Sequence, residues 1–342
     1  MASKKINDQP LVSVVSGNEK IPTGVVGDLT ISVNQIREYA NTYTQTVIEQ
    51  YSTAGTYTVT APTFAKFAHV FLLGAGGGGA AGGVASGTPL GGAGGGGASC
   101  SEAVFDVSAF SGGIVLTIGA GGTGGIGTAS SAAVSTQNGA GGGNTSLGTL
   151  LAAFGGGGAS RASGLTSFSG GGAGALGAGG NASTTVYGTA GLFGGNDGGS
   201  VTDLLNTWGG TAGTEANAAS LNSKRTYRGG CGGAAGGNVD ATSAKVGGKG
   251  VTPASIPQND TPQTPINTDA PHGVNPDALF CAGQSGAGGG GSFGGVPAGD
   301  GGNGGRGSGG GGGGAVRQSS PIYLAGNGGN GGDGYAVIIW CA

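Results

Sequence analysis

Ten glycine-rich runs interrupt this chain, and they constrain its fold more than any other feature. The longest, Gly299 to Ala315, is GDGGNGGRGSGGGGGGA; the others are Gly74 to Gly83, Gly91 to Gly97, Gly119 to Gly127, Gly139 to Gly143, Gly155 to Gly158, Gly170 to Gly180, Gly229 to Gly237, Gly283 to Gly295 and Gly326 to Gly334. Glycine has no side chain to bury, so a fold for these runs must say where their backbone N–H and C=O groups find partners. Fixing each residue costs about 1–2 kcal/mol of backbone entropy, and glycine loses the most freedom.

Two solutions compete. With 88 glycines and 12 prolines among 342 residues, the composition lies near the level of aperiodic low-complexity chains, and an isolated run would be coil. The alternative is a bundle of extended polyproline-II-type (polyglycine-II) helices, three residues per turn and about 3.1 Å per residue, packed side by side. In such a bundle each glycine N–H donates to a carbonyl of a neighbouring segment. Amide bonds at about 1 kcal/mol and Cα–H···O contacts at about 0.5–1 kcal/mol offset the ordering cost only when several runs are held together. A template is therefore required. Collagen is excluded, because the strict Gly-X-Y period is missing and proline is scarce inside the runs.

Charge narrows the function classes. Charged residues make up 8% of the chain and the formal net charge is −3. No basic stripe suits nucleic acid. No apolar segment of about 18 residues suggests a membrane span, and MASKKINDQP lacks the apolar core of a signal peptide. The expectation is a protein assembled in a cytoplasm that leaves it by lysis or within a larger particle. Cys100, Cys231, Cys281 and Cys341 lie far apart without a C-x-x-C pair and read as reduced, packed thiols. His69 and His272 are too few for a zinc site, so no metal and no cofactor are expected.

Along the chain, residues 1–50 form a glycine-poor segment and residues 51–342 a glycine-rich body. In the first, Leu11 to Val15 and Asp28 to Ile31 suggest short strands around a Ser16-Gly17-Asn18 turn. Ser32-Val33-Asn34-Gln35 has the form of a capping box with Ser32 as N-cap. The helix this predicts, Val33 to Gln50, carries Ile36, Tyr39 or Ala40, Tyr43 and Val47 on a narrow stripe suited to an oligomerising stem or to docking on its own domain. From Gly55 the period becomes two. Thr56 to Pro62, Phe67 to Leu73, Glu102 to Val107, Gly113 to Ile118 and Tyr335 to Trp340 read as strands, and Leu147 to Phe154 as a hairpin. Strands at the start and the extreme end imply one sheet that pairs the termini of the body and templates the bundle.

The two longest interruptions of the glycine pattern, residues 181–228 and 238–282, are long enough to suggest function. Runs of alternating direction would gather such loops at the bundle ends, a binding-surface arrangement. Tyr187, Trp208 and Tyr227 could stack on sugar rings, Lys224, Arg225 and Arg228 could pair with phosphates or acidic sugars, and His272 stands in the second loop.

Two resemblances appear on these residues. Ser16-Gly17-Asn18-Glu19-Lys20-Ile21-Pro22 with Val33-Asn34-Gln35-Ile36 resembles the segment that begins many bacteriophage tail-fibre and appendage proteins. Residues 54–342 are similar to the glycine-rich domain family of phage tail proteins, through Tyr57-Thr58-Val59, Leu73-Gly74-Ala75-Gly76, Leu116-Thr117-Ile118-Gly119 and the closing Gly334-Tyr335-Ala336-Val337-Ile338-Ile339-Trp340. What this implies is a mostly β fold with a polyglycine-II bundle behind a short N-terminal α/β attachment segment with one helix, located in the virion. Residues 1–50 would hold other virion proteins, three chains would associate as a homotrimer, and the loops would recognise a bacterial surface glycan or outer-membrane protein. The structural alternative is a non-catalytic virion or capsid decoration protein. An enzyme is not expected: the carboxylates are scattered, glycosidases need two held about 5 to 9.5 Å apart, and no Gly-x-Ser-x-Gly serves a recognisable triad.

Overall fold

A computed structural model describes residues 20–21, 31–32, 45–129, 137–163, 166–198, 209–216, 222–255, 257, 260–293, 295–317 and 323–342. Its regular structure is mostly β. The strands are β1 (Lys20–Ile21), β2 (Ile31–Ser32), β3 (Thr46–Tyr51), β4 (Gly55–Val59), β5 (Phe67–Leu73), β6 (Val84–Ala85), β7 (Cys100–Asp106), β8 (Ile114–Ile118), β9 (Thr145–Leu147), β10 (Leu151–Ala153), β11 (Ser160–Ser163), β12 (Thr166–Phe168), β13 (Val316–Arg317) and β14 (Tyr335–Cys341). The 3₁₀ turn Val107–Phe110 starts on the Asp106 side chain, and no α-helix occurs among the described residues.

Two antiparallel four-stranded sheets, ordered β3-β14-β5-β7 and β10-β9-β8-β4, pack face to face. Alternation along β5 sends Ala68, Val70 and Leu72 inward, where they meet Ile338 and Trp340 of β14 and Val59, Leu116, Ile118 and Leu147 of the second sheet. Trp340 is fully buried and meets the Phe110 ring edge-on at 4.8 Å. As expected, β14 closes the sheet between β3 and β5, so the body's two ends are paired. The hairpin within Leu147 to Phe154 is also present, as β9 with β10.

Two expectations change. Thr46 to Gln50, read as the end of a helix, lie in β3, an edge strand that spans the boundary expected at residue 50. The β-branched Thr46, Val47 and Ile48 favour extension, and the open side of β14 supplies hydrogen-bond partners that no isolated helix could match. Ser32, the expected N-cap, pairs with Lys20 in the β1–β2 ribbon. Residues 33–44, and the expected strand and turn at 11–18, lie outside the described residues. In addition, β4 and β5 do not pair with one another, and neither do β7 and β8; each connection crosses from one sheet to the other.

The glycine runs leave the sandwich and return to it, and their hydrogen bonds follow a rule visible in residues 74–83. Gly74, Gly77, Ala80 and Gly83 donate to the carbonyls of Ser99, Gly96, Ala93 and Leu90. Ala75, Gly78 and Ala81 donate to those of Gly143, Ala140 and Gln137, and Gly76, Gly79 and Gly82 to those of Gly332, Gly329 and Gly326, all at 2.8–3.1 Å. The acceptor run thus repeats every third residue, and all three acceptor runs are antiparallel. The carbonyls of the same run accept from three parallel runs, through Gly122 and Gly125, Gly156 and Ala159, and Gly310 and Gly313. Residues 91–99 and 308–315 are enclosed in the same manner.

Such enclosure leaves no room for side chains. A Cβ on Gly79 would stand 2.1 Å from the Gly311 carbonyl oxygen, whereas the methyl groups of Ala80, Ala93 and Ala159 fill a gap between runs. At Gly307 the chain reverses against Leu73 with φ of +67°, a conformation that favours glycine.

Direction along the bundle follows from these pairings. Run 74–83 begins at the end of β5, and run 326–334 ends at the start of β14, so both have one end on the sandwich. Turns 84–90, 238–246 and 265–268, with residues 292–293, 295–298 and 323–325, therefore gather at the opposite, free end. Thr46 pairs with Cys341, at the sheet end remote from the bundle. The chain preceding β3 thus joins at one pole and the turns crowd the other.

Gly79→Ala is expected to lower unfolding stability by on the order of 2–3 kcal/mol in chemical denaturation. Gly87→Ala, at a site with no atom within 4 Å of the added methyl, should stay within about 0.5 kcal/mol of the parent. Superimposable curves for the two variants would remove the argument for enclosure.

Candidate recognition surface

The two long interruptions meet at the outer face of the first sheet, near its bundle end. Arg228 forms an ion pair with Glu102 of β7, and the other Glu102 oxygen shares a 2.6 Å hydrogen bond with His69 Nε2. Phe280 covers this group, 5.4 Å from the His69 ring and 5.7 Å from Phe71. Arg225 pairs with Asp260 and donates to the Thr252 carbonyl at 3.3 Å, while Lys249 reaches the same carboxylate at 3.3 Å. Lys224 is buried, and its carbonyl accepts from the Thr211 hydroxyl. Tyr227 is 45% exposed, and its hydroxyl has no partner among the described residues.

Between these elements lie two hollows that share a wall at Ala278. One, of about 410 Å³, is lined by Thr252, Pro257, Val274, Asn275, Pro276 and Asp277. The other, of about 240 Å³, lies among Tyr227, Arg228, Ser255, Leu279, Phe280 and Cys281. Burial pushes the Cys281 thiol up and that of Cys100 to about 12, which leaves both protonated and unreactive near neutral pH. None of the four cysteines forms a disulfide.

Of the seven residues expected to bind, Lys224, Arg225, Tyr227 and Arg228 fall on this flank. Tyr187 does not. It lies at the free end beside the β11–β12 hairpin, 5.0 Å from the Phe168 ring, with its hydroxyl donated to Glu215. Burial first, and then that bond, hold its phenol pKa up to about 12. Trp208 lies outside the described residues. His272 has a backbone-capping role: its Nδ1 accepts from the Asn303 amide at 2.9 Å.

That contact belongs to a ladder that sequence reading missed. Asp269, His272 and Asn275 accept from the amides of Asp300, Asn303 and Arg306. Asp300 and Asn303 accept in turn from Asn327 and Asn330, and Asn327, Asn330 and Asp333 accept from Gly127, Gly124 and Gly121, at 2.7–2.8 Å. At these outer positions a side-chain acceptor replaces the carbonyl of an absent next run. The signal was present as a three-residue spacing: D-x-x-H-x-x-N from Asp269, D-x-x-N-x-x-R from Asp300 and N-x-x-N-x-x-D from Asn327.

The free end carries a different surface. Val246, Ile266, Phe293, Val296 and Leu324, all on turns gathered there, are 39–54% exposed, and Arg317 lies 5.1 Å from the Phe293 ring centroid. No helix among the described residues is long and apolar enough to cross a membrane.

Fold and surface together define a β-sandwich that carries a backbone-paired glycine bundle tipped with short turns. The chain belongs to the glycine-rich domain family, whose match spans residues 52–341. A comparison with curated proteins gives no match.

Replacing His272 tests the ladder directly. His272→Ala should speed hydrogen exchange of the Asn303 amide, while His272→Asn, whose Oδ1 occupies the place of Nδ1, should restore its protection. Equal exchange in both variants would show that the bond carries no weight.

Proposed function

We propose that this chain is a bacteriophage virion appendage protein that mediates recognition of the host-cell surface, with its glycine runs forming a polyglycine-II lattice. The observation that carries this reading is the polarity of the molecule. The chain preceding β3 joins at the sandwich end, and exposed apolar side chains crowd the opposite end on short turns.

Loops on a rigid frame are a common way to hold a recognition surface. A soluble protein gains nothing from an exposed Phe293, Val296 and Leu324 unless a partner covers them, and an apolar centre with Arg317 at its edge suits a protein receptor. The three-residue hydrogen-bond repeat supports the lattice assignment, because it matches three residues per turn. The N-terminal resemblance supports attachment to other virion proteins through residues 1–50. Association as a homotrimer would multiply weak contacts by avidity.

Labelled full-length protein should adsorb to a subset of bacterial strains. A Phe293→Ala/Leu324→Ala variant with an unchanged melting temperature should lose about tenfold or more in affinity. Absence of adsorption to every strain that the parent particle infects would sink the proposal.

A further inference from the structure

We infer that the flank cleft formed by Tyr227, Ser255 and the 274–281 loop binds an uncharged saccharide. This deepens the attachment reading by naming a ligand class at a place other than the bundle tip, and it rests on that reading only for the biological source of the sugar.

The first argument is preorganisation. Both walls are tied down by groups that play no part in binding. Ser255 and Ala254 donate their amides to the carbonyls of Tyr227 and Thr226, at 3.2 and 2.7 Å, and Ala282 donates to that of Arg228 at 3.1 Å. Arg306 holds the opposite wall through the carbonyls of Ala278 and Cys281 while its guanidinium stacks 4.1 Å from the Tyr335 ring centroid. A cleft fixed in this way pays little ordering entropy when a ligand arrives. The larger of its two hollows, about 410 Å³, is in the size range of small-ligand sites, and the smaller, about 240 Å³, adjoins it at Ala278.

The second argument is chemistry. Tyr227 presents a partly exposed ring and a hydroxyl with no partner among the described residues, which suits the C–H face and a hydroxyl of one sugar ring. Ser255 and Asp277 are exposed on the two sides of Ala278 and supply a hydroxyl and a carboxylate for further sugar hydroxyls.

Charge then selects among saccharides. The cations around the cleft are already engaged within the chain: Arg228 with Glu102, Arg225 and Lys249 with the single carboxylate of Asp260, and Arg306 with the carbonyls of Ala278 and Cys281 and the Tyr335 ring. Asp277 adds an exposed negative charge to the larger hollow. Among the described lining residues the larger hollow carries only the charge of Asp277 and the smaller only Arg228, held by Glu102. An anionic sugar would therefore meet repulsion in the first and a cation already engaged in the second, and the cleft favours a neutral sugar.

The test is titration of the full chain with N,N′,N″-triacetylchitotriose, cellotriose, mannotriose and, as the acidic probe, 3′-sialyllactose, followed by calorimetry and ligand-observed NMR. At least one neutral trisaccharide should bind with Kd below about 10 mM. Tyr227→Ala and Asp277→Asn should each weaken it about tenfold or more while the melting temperature stays unchanged. The tip variant Phe293→Ala/Leu324→Ala should bind the sugar like the parent. Silence towards all three neutral sugars, preference for 3′-sialyllactose, or full binding by Tyr227→Ala would each overturn the assignment. Cell adsorption measured on the same variants separates the two claims: sugar binding without adsorption fails only the attachment reading, and adsorption without sugar binding fails only this one.

Discussion

An amide in run 74–83 finds its acceptor on another run, and the acceptor run changes with each step along a three-residue repeat. Nothing in this scheme is local. A single run offers its neighbours donors and acceptors but gains no bond within itself, so its ordering cost of about 1–2 kcal/mol per residue is met only in company. The sandwich supplies that company. Leu73 leads from β5 directly into Gly74, Gly119 follows β8, and Gly334 leads into β14, so these runs start in register because their strands do. Packing of Trp340, Leu116 and Val70 between the sheets therefore stabilises the bundle without touching it.

Backbone pairing of this density also assigns work by residue type. Where carbonyls press within about 2 Å of a would-be Cβ, as at Gly76, Gly79 and Gly82, only glycine fits, and the position can carry no chemistry. Small hydroxyls such as Ser285 and Ser308 fit inside, each bonded to the backbone of a neighbouring segment, while the aromatic and charged groups able to face a partner stand on the outer rows and the interruptions. That is why Tyr227, Asp277, Phe293 and Leu324 all stand on turns. The scaffold is chemically silent, and its rigidity positions groups that it does not itself provide.

Much of this was legible in the sequence. Strand periodicity at Phe67 to Leu73 and Tyr335 to Trp340 was unambiguous because both strands alternate between two apolar environments, one between the sheets and one beneath Phe280. The end of the expected stem helix failed for a physical reason: Val47 fits a 3.6-residue stripe and a two-residue alternation equally well, and the vacant edge of β14 decided between them. Charge pairing across interruptions was invisible, since Arg228 meets Glu102 from 126 positions away. The ladder of Asp, Asn and His was visible as spacing, but its meaning depends on knowing which runs lie outermost.

That ladder bears on how the molecule avoids sticking to copies of itself. An unpaired row of amides is an invitation for another chain to add on, and symmetric assembly is one way to hide it. Here Asn327, Asn330 and Asp333 close the amides of Gly127, Gly124 and Gly121 within the chain, and Asp269, His272 and Asn275 close those of the 300–306 row. Side-chain closure is finite where backbone closure is not: a carboxamide accepts the amide facing it and presents no new row to extend. The bundle can thus end at a polar face on its sides while its tip stays apolar. Contacts with other molecules are steered to the turns by what the flanks refuse to pair with.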